Sequence, residues 1–107
     1  WAIVDAGWMA MSRDRGTQRQ AVDFGYGQAC DEDGAELGGY LMTGANQEHG
    51  IVSRTGTPDP DIVARFPIGT RIRILPNHAC ATGAQHPGYH AVDAGGDTAE
   101  WPRFYGW

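Results

Sequence analysis

The stretch Arg71-Ile72-Arg73-Ile74-Leu75-Pro76 contains the clearest strand signal in the sequence and decides the fold class. Side chains of an extended chain point alternately to opposite faces, so the two isoleucines share one face and the two arginines share the other. Pro76 has no backbone N–H to give to a continuing ladder. The stretch therefore predicts a short strand with one buried face, which ends near the proline.

Short extended segments separated by turns continue in both directions from this strand. Sixteen of the 107 residues are glycine, and the segments between them are rich in aromatic and β-branched residues, which is typical of strands joined by tight turns. We expect strands at residues 1–5, 8–12, 40–43, 50–54, 71–75 and 88–92, a glycine-bent strand at 20–30, and an extended run at 78–82. Turns are expected at 14–16, 31–34, 58–61, 69–70 and 93–97, and a short helical piece at 61–66.

This pattern predicts one all-β domain over residues 1–107. The strands are expected to be mainly antiparallel and to close, or nearly close, into a small β-barrel or barrel-like sandwich with short helical pieces. No stretch of twelve residues shows a helical period free of Gly and Pro.

Composition excludes several classes of function. The net charge is −5 and all eight basic residues are arginines, so the chain lacks the basic surface of a nucleic-acid-binding domain. Its apolar runs are far shorter than the ~20 residues of a membrane helix. No signal peptide is visible. With only two cysteines, Cys30 and Cys80, we expect free thiols in a reducing, cytoplasmic compartment.

His78 and Cys80 are the strongest candidates for chemistry, in the segment Leu75-Pro76-Asn77-His78-Ala79-Cys80. On an extended chain, residues two apart project to the same side and would present an imidazole nitrogen beside a sulfur. Such a pair suits zinc, with cobalt or manganese as alternatives. Two ligands leave coordination positions open for water or substrate, as a catalytic metal requires. The alternative is an ordinary strand with one core and one surface residue.

The other histidines have two interpretations each. His86 and His90 are candidates for a third ligand or for partners that contact the ligands, and Asn77 is a candidate for such a partner only. They are otherwise solvated turn residues. His49, in Glu48-His49-Gly50, is a candidate for proton transfer, or else a loop residue that caps backbone groups.

The remaining polar and aromatic residues have structural interpretations. Asp5 and Asp14 are expected to anchor turns by accepting hydrogen bonds from backbone amides. Cys30 is expected to be a small buried residue. The aromatic end, residues 101–107, is either a ligand-facing surface or a part of the core.

Several segments together resemble the C-terminal domain of the D-serine dehydratase and D-threonine aldolase family. These are Trp1-Ala2-Ile3-Val4-Asp5-Ala6-Gly7, Met11-Ser12-Arg13-Asp14-Arg15-Gly16, Gln47-Glu48-His49-Gly50, the segment from Leu75 to Cys80, and the aromatic end. The resemblance runs over nearly the whole chain in the expected order, and the Pro-Asn-His-Ala-Cys segment is its most specific part.

The resemblance implies a fold-type III pyridoxal-phosphate (PLP) enzyme laid out like alanine racemase, usually a homodimer. An N-terminal (β/α) barrel, absent from this chain, would hold PLP through a lysine, and this sequence has no lysine. By analogy, His78 and Cys80 would bind a divalent metal, most simply zinc, with Mn, Mg or Co as alternatives. The metal would activate the β-hydroxyl of a D-3-hydroxy amino acid for dehydration or aldol cleavage.

The isolated chain is then expected to be inactive and to be one part of a longer lyase. Aldolases often carry Asp in place of Cys80, which favours a dehydratase of D-serine or 3-hydroxyaspartate type.

Two other hypotheses stay open at this point. The chain could act as a stand-alone, non-catalytic β-barrel module that binds a ligand or a protein. It could also store or sense metal through His78, Cys80 and His86, although two or three ligands predict weak binding.

Overall fold

The computed structural model describes residues 1–104 and contains seven strands and two short helices in that range. The strands are β1 (Ala2–Val4), β2 (Gly27–Cys30), β3 (Glu36–Ala45), β4 (Gly50–Arg54), β5 (Arg73–Pro76), β6 (Gly88–Val92) and β7 (Thr98–Pro102), and the helices are α1 (Ile62–Arg65) and α2 (Ala79–Gly83). Every strand pair is antiparallel. The predicted all-β, mainly antiparallel class with short helical pieces is confirmed.

The main sheet has five strands in the order β1-β4-β3-β2-β5, and β6 and β7 form a separate hairpin. The long strand β3 lies at the centre and pairs with β4 on one side and β2 on the other. β5 pairs with β2, with Gly27 opposite Pro76. The proline is therefore the last residue of an edge strand, where its missing N–H costs no ladder hydrogen bond.

Two hairpin turns have the same design. Oδ1 of Asp31 accepts the N–H of Asp33 at 3.0 Å and that of Ala35 at 2.8 Å, and Gly34 adopts φ 91°. Asp93 uses its Oδ1 in the same way towards the β6–β7 turn. An aspartate followed three positions later by a glycine with positive φ thus closes both hairpins, and both turns were predicted.

The core lies between the sheet and the segment that contains α1. It is formed by the buried residues Ala29, Tyr40, Val52 and Ile62, against which Ile72 and Ile74 pack. The two isoleucines thus share the core-facing side of the chain as predicted, and Arg71 and Arg73, which alternate with them, are exposed. Cys30 is fully buried, which confirms its predicted place in the interior.

A polar cluster fixes α1 against the sheet. The hydroxyl of Tyr40 and the guanidinium of Arg65 both donate to Asp59, the latter at 2.9 Å. Asp59 also accepts the N–H of Asp61 at 2.9 Å. These hydrogen bonds, that of Tyr40 first, lower the pKa of Asp59 to about 2, so its carboxylate stays ionised in the folded chain.

The structure corrects four expectations about local structure. First, residues 8–12 form a turn. Second, only Gly27–Cys30 of the predicted strand 20–30 is extended. Residues 5–26 are therefore one long connection without strand or helix. The third is the extended run at 78–82, which is wrong because α2 occupies residues 79–83. The predicted strand 71–75 begins two residues later, at Arg73.

Two further findings concern the ends of the chain and the membrane. Of the aromatic end, residues 101 and 102 belong to β7, Trp101 and Phe104 are exposed, and residues 105–107 lie outside the described part. Within residues 1–104, no helix is both long and apolar enough to span a bilayer.

Candidate metal centre

The candidate ligands lie where β5 leads into α2. β5 ends at Pro76, and the N–H of Asn77 donates to the carbonyl of Tyr26 at 3.2 Å, which keeps the chain beside β2 for one more residue. His78 is the N-cap residue of α2, with extended backbone angles (φ −128°, ψ 92°). Cys80 lies in the first turn of that helix. Both residues therefore lie at a strand-to-helix junction rather than along a strand.

This junction corrects the geometric reason given for pairing His78 with Cys80. The alternation argument assumed that both residues lie on one extended run, but only His78 is extended. What the structure shows instead is that both side chains are exposed, and that neither is enclosed in the apolar core. An ion arriving from solvent can therefore reach both donor atoms.

His78 has a carboxylate partner. Its Nδ1 is hydrogen-bonded to Oδ2 of Asp14, a residue 64 positions away in the sequence. The hydrogen bond from His78 is the main cause of a lowered pKa for Asp14. Asp14 was expected to anchor a turn through backbone amides. Its carboxylate instead contacts the imidazole, and its N–H donates to Ser12 Oγ at 3.0 Å.

The long connection between β1 and β2 packs over this junction at three further points. The N–H of Ser12 donates to the hydroxyl of Thr82, on α2, at 3.0 Å. The side-chain amide of Asn77 donates to Thr17 Oγ1 at 3.2 Å and to the carbonyl of Gly25. These contacts tie residues 12–25 to the segment that carries both candidate ligands.

Asn77 and His86 were candidates for residues that contact the ligands rather than the metal. The Asn77 amide contacts the long connection rather than His78. His86 Nε2 lies 2.8 Å from the carbonyl oxygen of Ala10, so this ring too is hydrogen-bonded to the connection. Both residues thus support the loop that delivers Asp14.

His49 and His90 lie in other settings. His49 is exposed, its N–H donates to Asn46 Oδ1 at 3.0 Å, and its carbonyl accepts from the N–H of Asn46 at 2.9 Å. His90 lies on the β6–β7 hairpin, 3.9 Å from Glu100. Across residues 1–104 there is no group of three His, Cys, Asp or Glu side chains able to hold an ion. The storage hypothesis, which requires His86 as third ligand, finds no such cluster in that range.

The two cysteines are expected to react very differently with a thiol reagent. Cys80 is exposed, whereas Cys30 is fully buried and its burial raises the pKa of its thiol. We expect one thiol of the native chain, and both thiols of the denatured chain, to react rapidly with dithionitrobenzoate. The variant C80S should lose the rapid phase. A rapid phase that survives in C80S would show that Cys30 is accessible.

Similarity to known proteins identifies the family of the chain. Residues 1–92 match the protein family described as "Putative serine dehydratase domain". The chain belongs to this family. Over its whole length it is 65% identical to the D-threo-3-hydroxyaspartate dehydratase of Delftia sp. (strain HT23), and it covers 28% of that protein. The solved structure of the Delftia enzyme superposes with a TM-score of 0.93.

The chain is also similar to two more distant relatives, and it again covers only a part of each. The chain is 29% identical over 94 residues to D-serine dehydratase of Dictyostelium discoideum, covering 85% of this chain and 22% of that protein. An alanine-racemase-like protein of Idiomarina loihiensis superposes with a TM-score of 0.84 at 46% identity, over 98% of this chain and 27% of that one. The chain therefore spans less than a third of the length of these relatives.

Two solved variants of a D-threo-3-hydroxyaspartate dehydratase contain substitutions at a histidine and a cysteine. The enzyme has been solved with a histidine replaced by alanine, and with the cysteine two positions further on replaced by alanine, the latter in the metal-free form. Each variant covers the whole of the present chain at 64% identity.

Proposed function

We propose that this chain is the metal-carrying domain of a PLP-dependent dehydratase that acts on D-3-hydroxy amino acids, with D-threo-3-hydroxyaspartate as the preferred substrate. One observation carries the proposal. The present sequence contains a single His-x-Cys, at His78 and Cys80, and this is the spacing of the two residues replaced in the variants of a relative 65% identical over the whole chain. One of those variants is named as metal-free.

The donor atoms fit a divalent ion. The hydrogen bond to Asp14 occupies Nδ1 of His78 and leaves Nε2 as the ring's available donor. The exposed thiol of Cys80 supplies a soft sulfur when it is deprotonated. An imidazole nitrogen together with a thiolate favours zinc over the harder ions manganese and magnesium. Two protein donors leave positions for water or a substrate oxygen, which suits a catalytic rather than a structural site.

The roles within the protein divide between this chain and the remainder of a longer polypeptide. When bound, the metal supplies a Lewis acid for the substrate's β-hydroxyl, and PLP supplies an electron sink for the α-carbon. His78 and Cys80 hold the ion at the end of β5. The sequence has no lysine to form a Schiff base, so we assign PLP binding to a separate (β/α) barrel.

Three further features belong to the same proposal. We infer a homodimer, as in enzymes of alanine-racemase layout. Unpaired cysteines, one of them exposed, fit a reducing cytoplasmic compartment. His49, exposed at the start of β4, is assigned to proton transfer near the substrate.

The proposal is tested by H78A and C80A in the full-length protein. Each variant should lose its bound metal and at least about 100-fold in kcat for D-threo-3-hydroxyaspartate, because Lewis-acid stabilisation supplies several kcal/mol. The PLP absorbance band should stay unchanged, because neither side chain is assigned to PLP. Metal content is measured by atomic absorption and activity by substrate consumption.

C30A is the matched control, because it removes the chain's other thiol from a fully buried position. We expect C30A to lower thermal stability while it retains stoichiometric metal and most of the activity. Full metal occupancy in both H78A and C80A would overturn the assignment of the site.

A further inference from the structure

We infer that Asp14 is a positioning residue for the metal centre, which fixes the ring and the tautomer of His78 so that Nε2 is presented to the ion. The inference rests on the proposed function for the identity of the ligand. Its structural content is the contact between Asp14 Oδ2 and His78 Nδ1, which joins two segments 64 residues apart. Neither the motif containing His78 nor the family likeness assigns any role to Asp14.

The chemistry of the pair selects one tautomer. An ionised carboxylate only accepts hydrogen bonds, so Nδ1 must carry the proton that lies between the two groups. In a neutral imidazole the lone pair is then on Nε2, the atom free to coordinate. A carboxylate behind a ligating histidine also fixes the plane of the ring. The side chain of His78 remains 48% exposed, so the contact with Asp14 does not bury it.

The basic neighbours of Asp14 are engaged elsewhere. The guanidinium of Arg13 stacks over the Trp8 ring, 4.1 Å from its centroid. That of Arg15 pairs with Asp23 at 2.6 Å. In the sequence Arg-Asp-Arg, each arginine therefore has its own partner, and the carboxylate between them is directed to the imidazole.

Asp14 is also tied to the helix that carries the second ligand. Its N–H donates to the hydroxyl of Ser12, and the N–H of Ser12 donates to Thr82 Oγ1 on α2, both at 3.0 Å. Ser12 is buried, with 5% of its surface exposed. Buried hydrogen-bonded groups hold their geometry more firmly than exposed ones. One short loop thus fixes the imidazole through Asp14 and contacts the helix of Cys80 through Ser12.

The experiment measures zinc affinity in the full-length protein by chelator competition for wild type, D14A and D14N. D14A should weaken zinc binding about 10- to 100-fold, the range typical for loss of a partner behind a metal ligand. D14N should fall between the two, because its amide oxygen can still accept from Nδ1 but carries no charge. R15A is the matched control: it breaks the ion pair between Arg15 and Asp23 in the same loop, leaves the hydrogen bond from the N–H of Gly25 to Asp23 in place, and does not touch His78. It should change zinc affinity less than threefold.

A second readout does not depend on metal. In the zinc-free protein labelled with ¹⁵N-histidine, His78 should be protonated at Nδ1, and D14A should remove that preference. Equal losses of affinity in D14A and R15A, or an unchanged His78 tautomer in D14A, would leave Asp14 with a general structural role only and overturn the inference. Failure of the proposed function is seen separately, as unchanged zinc affinity in H78A.

Discussion

The variant G7A is expected to lower the free energy of unfolding by about 3 kcal/mol, the upper end of the usual cost of overpacking. A Cβ at Gly7 would stand 2.5 Å from the carbonyl oxygen of Asn46 and 2.6 Å from backbone atoms of both Glu48 and His49. Backbone atoms cannot move aside as the end of a flexible side chain can. The loop before β4 must therefore shift, or residue 7 must withdraw from it.

The same shift would break the hydrogen bonds that dock the long connection on this loop. The N–H of Trp8 donates to Asn46 at 2.9 Å and that of Met9 donates to Gln47 at 3.0 Å, directly after the glycine. Thermal unfolding followed by tryptophan fluorescence should show a midpoint lowered on the order of 10 °C. Because the connection carries Asp14, zinc affinity should fall as well.

G16A is the control for this prediction. It adds the same methyl group to the same connection, but a Cβ at Gly16 meets no atom within 4 Å. We expect its stability to lie within about 0.5 kcal/mol of wild type. If G7A and G16A had the same thermal unfolding midpoint, the loop before β4 would accommodate the added methyl group without loss of stability, and the prediction would be wrong.

Local patterns in the sequence were sufficient to predict most strands of the sheet. Alternation predicted the core-facing side of Ile72 and Ile74, and the Asp- and Gly-containing runs 31–34 and 93–97 predicted two turns, because each feature is encoded within five residues. The strand β3 was predicted at 40–43 but extends over Glu36–Ala45. Its added residues include Gly38 and Gly39, which are poor strand formers. The carbonyl of Gly39 accepts the N–H of Thr55, just after β4, at 2.8 Å.

The errors lie where tertiary contacts decide the backbone. Residues 8–12 have the composition of a strand, yet the N–H groups of Ala10 and Met11 both donate to the carbonyl of Gly7 and form a turn that buries Met11. α2 has only five residues, too few for a 3.6-residue period to be recognised. Short segments of this kind take the conformation that burial and docking favour.

The sequence predicted the two candidate ligands of the site, but it did not predict the carboxylate that contacts one of them. His78 and Cys80 could be named because they lie together in one motif, and their assignment as ligands stays a prediction. The contact between Asp14 and His78 joins residues 64 positions apart, and no spacing rule connects them. The only local signal was an aspartate between two arginines, which equally describes a solvated turn.

Exchanging Cys80 for aspartate is expected to change which metal the site prefers. A thiolate is a soft donor suited to zinc, whereas a carboxylate favours harder ions such as manganese and magnesium. In the full-length protein, C80D should bind zinc about 100-fold more weakly than wild type, a loss of about 2.7 kcal/mol, while its affinity for Mn²⁺ stays equal or rises. Isothermal titration of the metal-free protein with each ion measures both constants.

C80S separates donor chemistry from size. Serine is close to cysteine in volume but supplies neither a thiolate nor a carboxylate, so C80S should bind both ions weakly. Because Cys80 is exposed on α2, neither substitution removes a core contact, and both variants should unfold within a few degrees of wild type. If C80D and C80S both kept the zinc affinity of wild type, residue 80 would not be a ligand, and the ion would owe its selectivity to donors outside this chain.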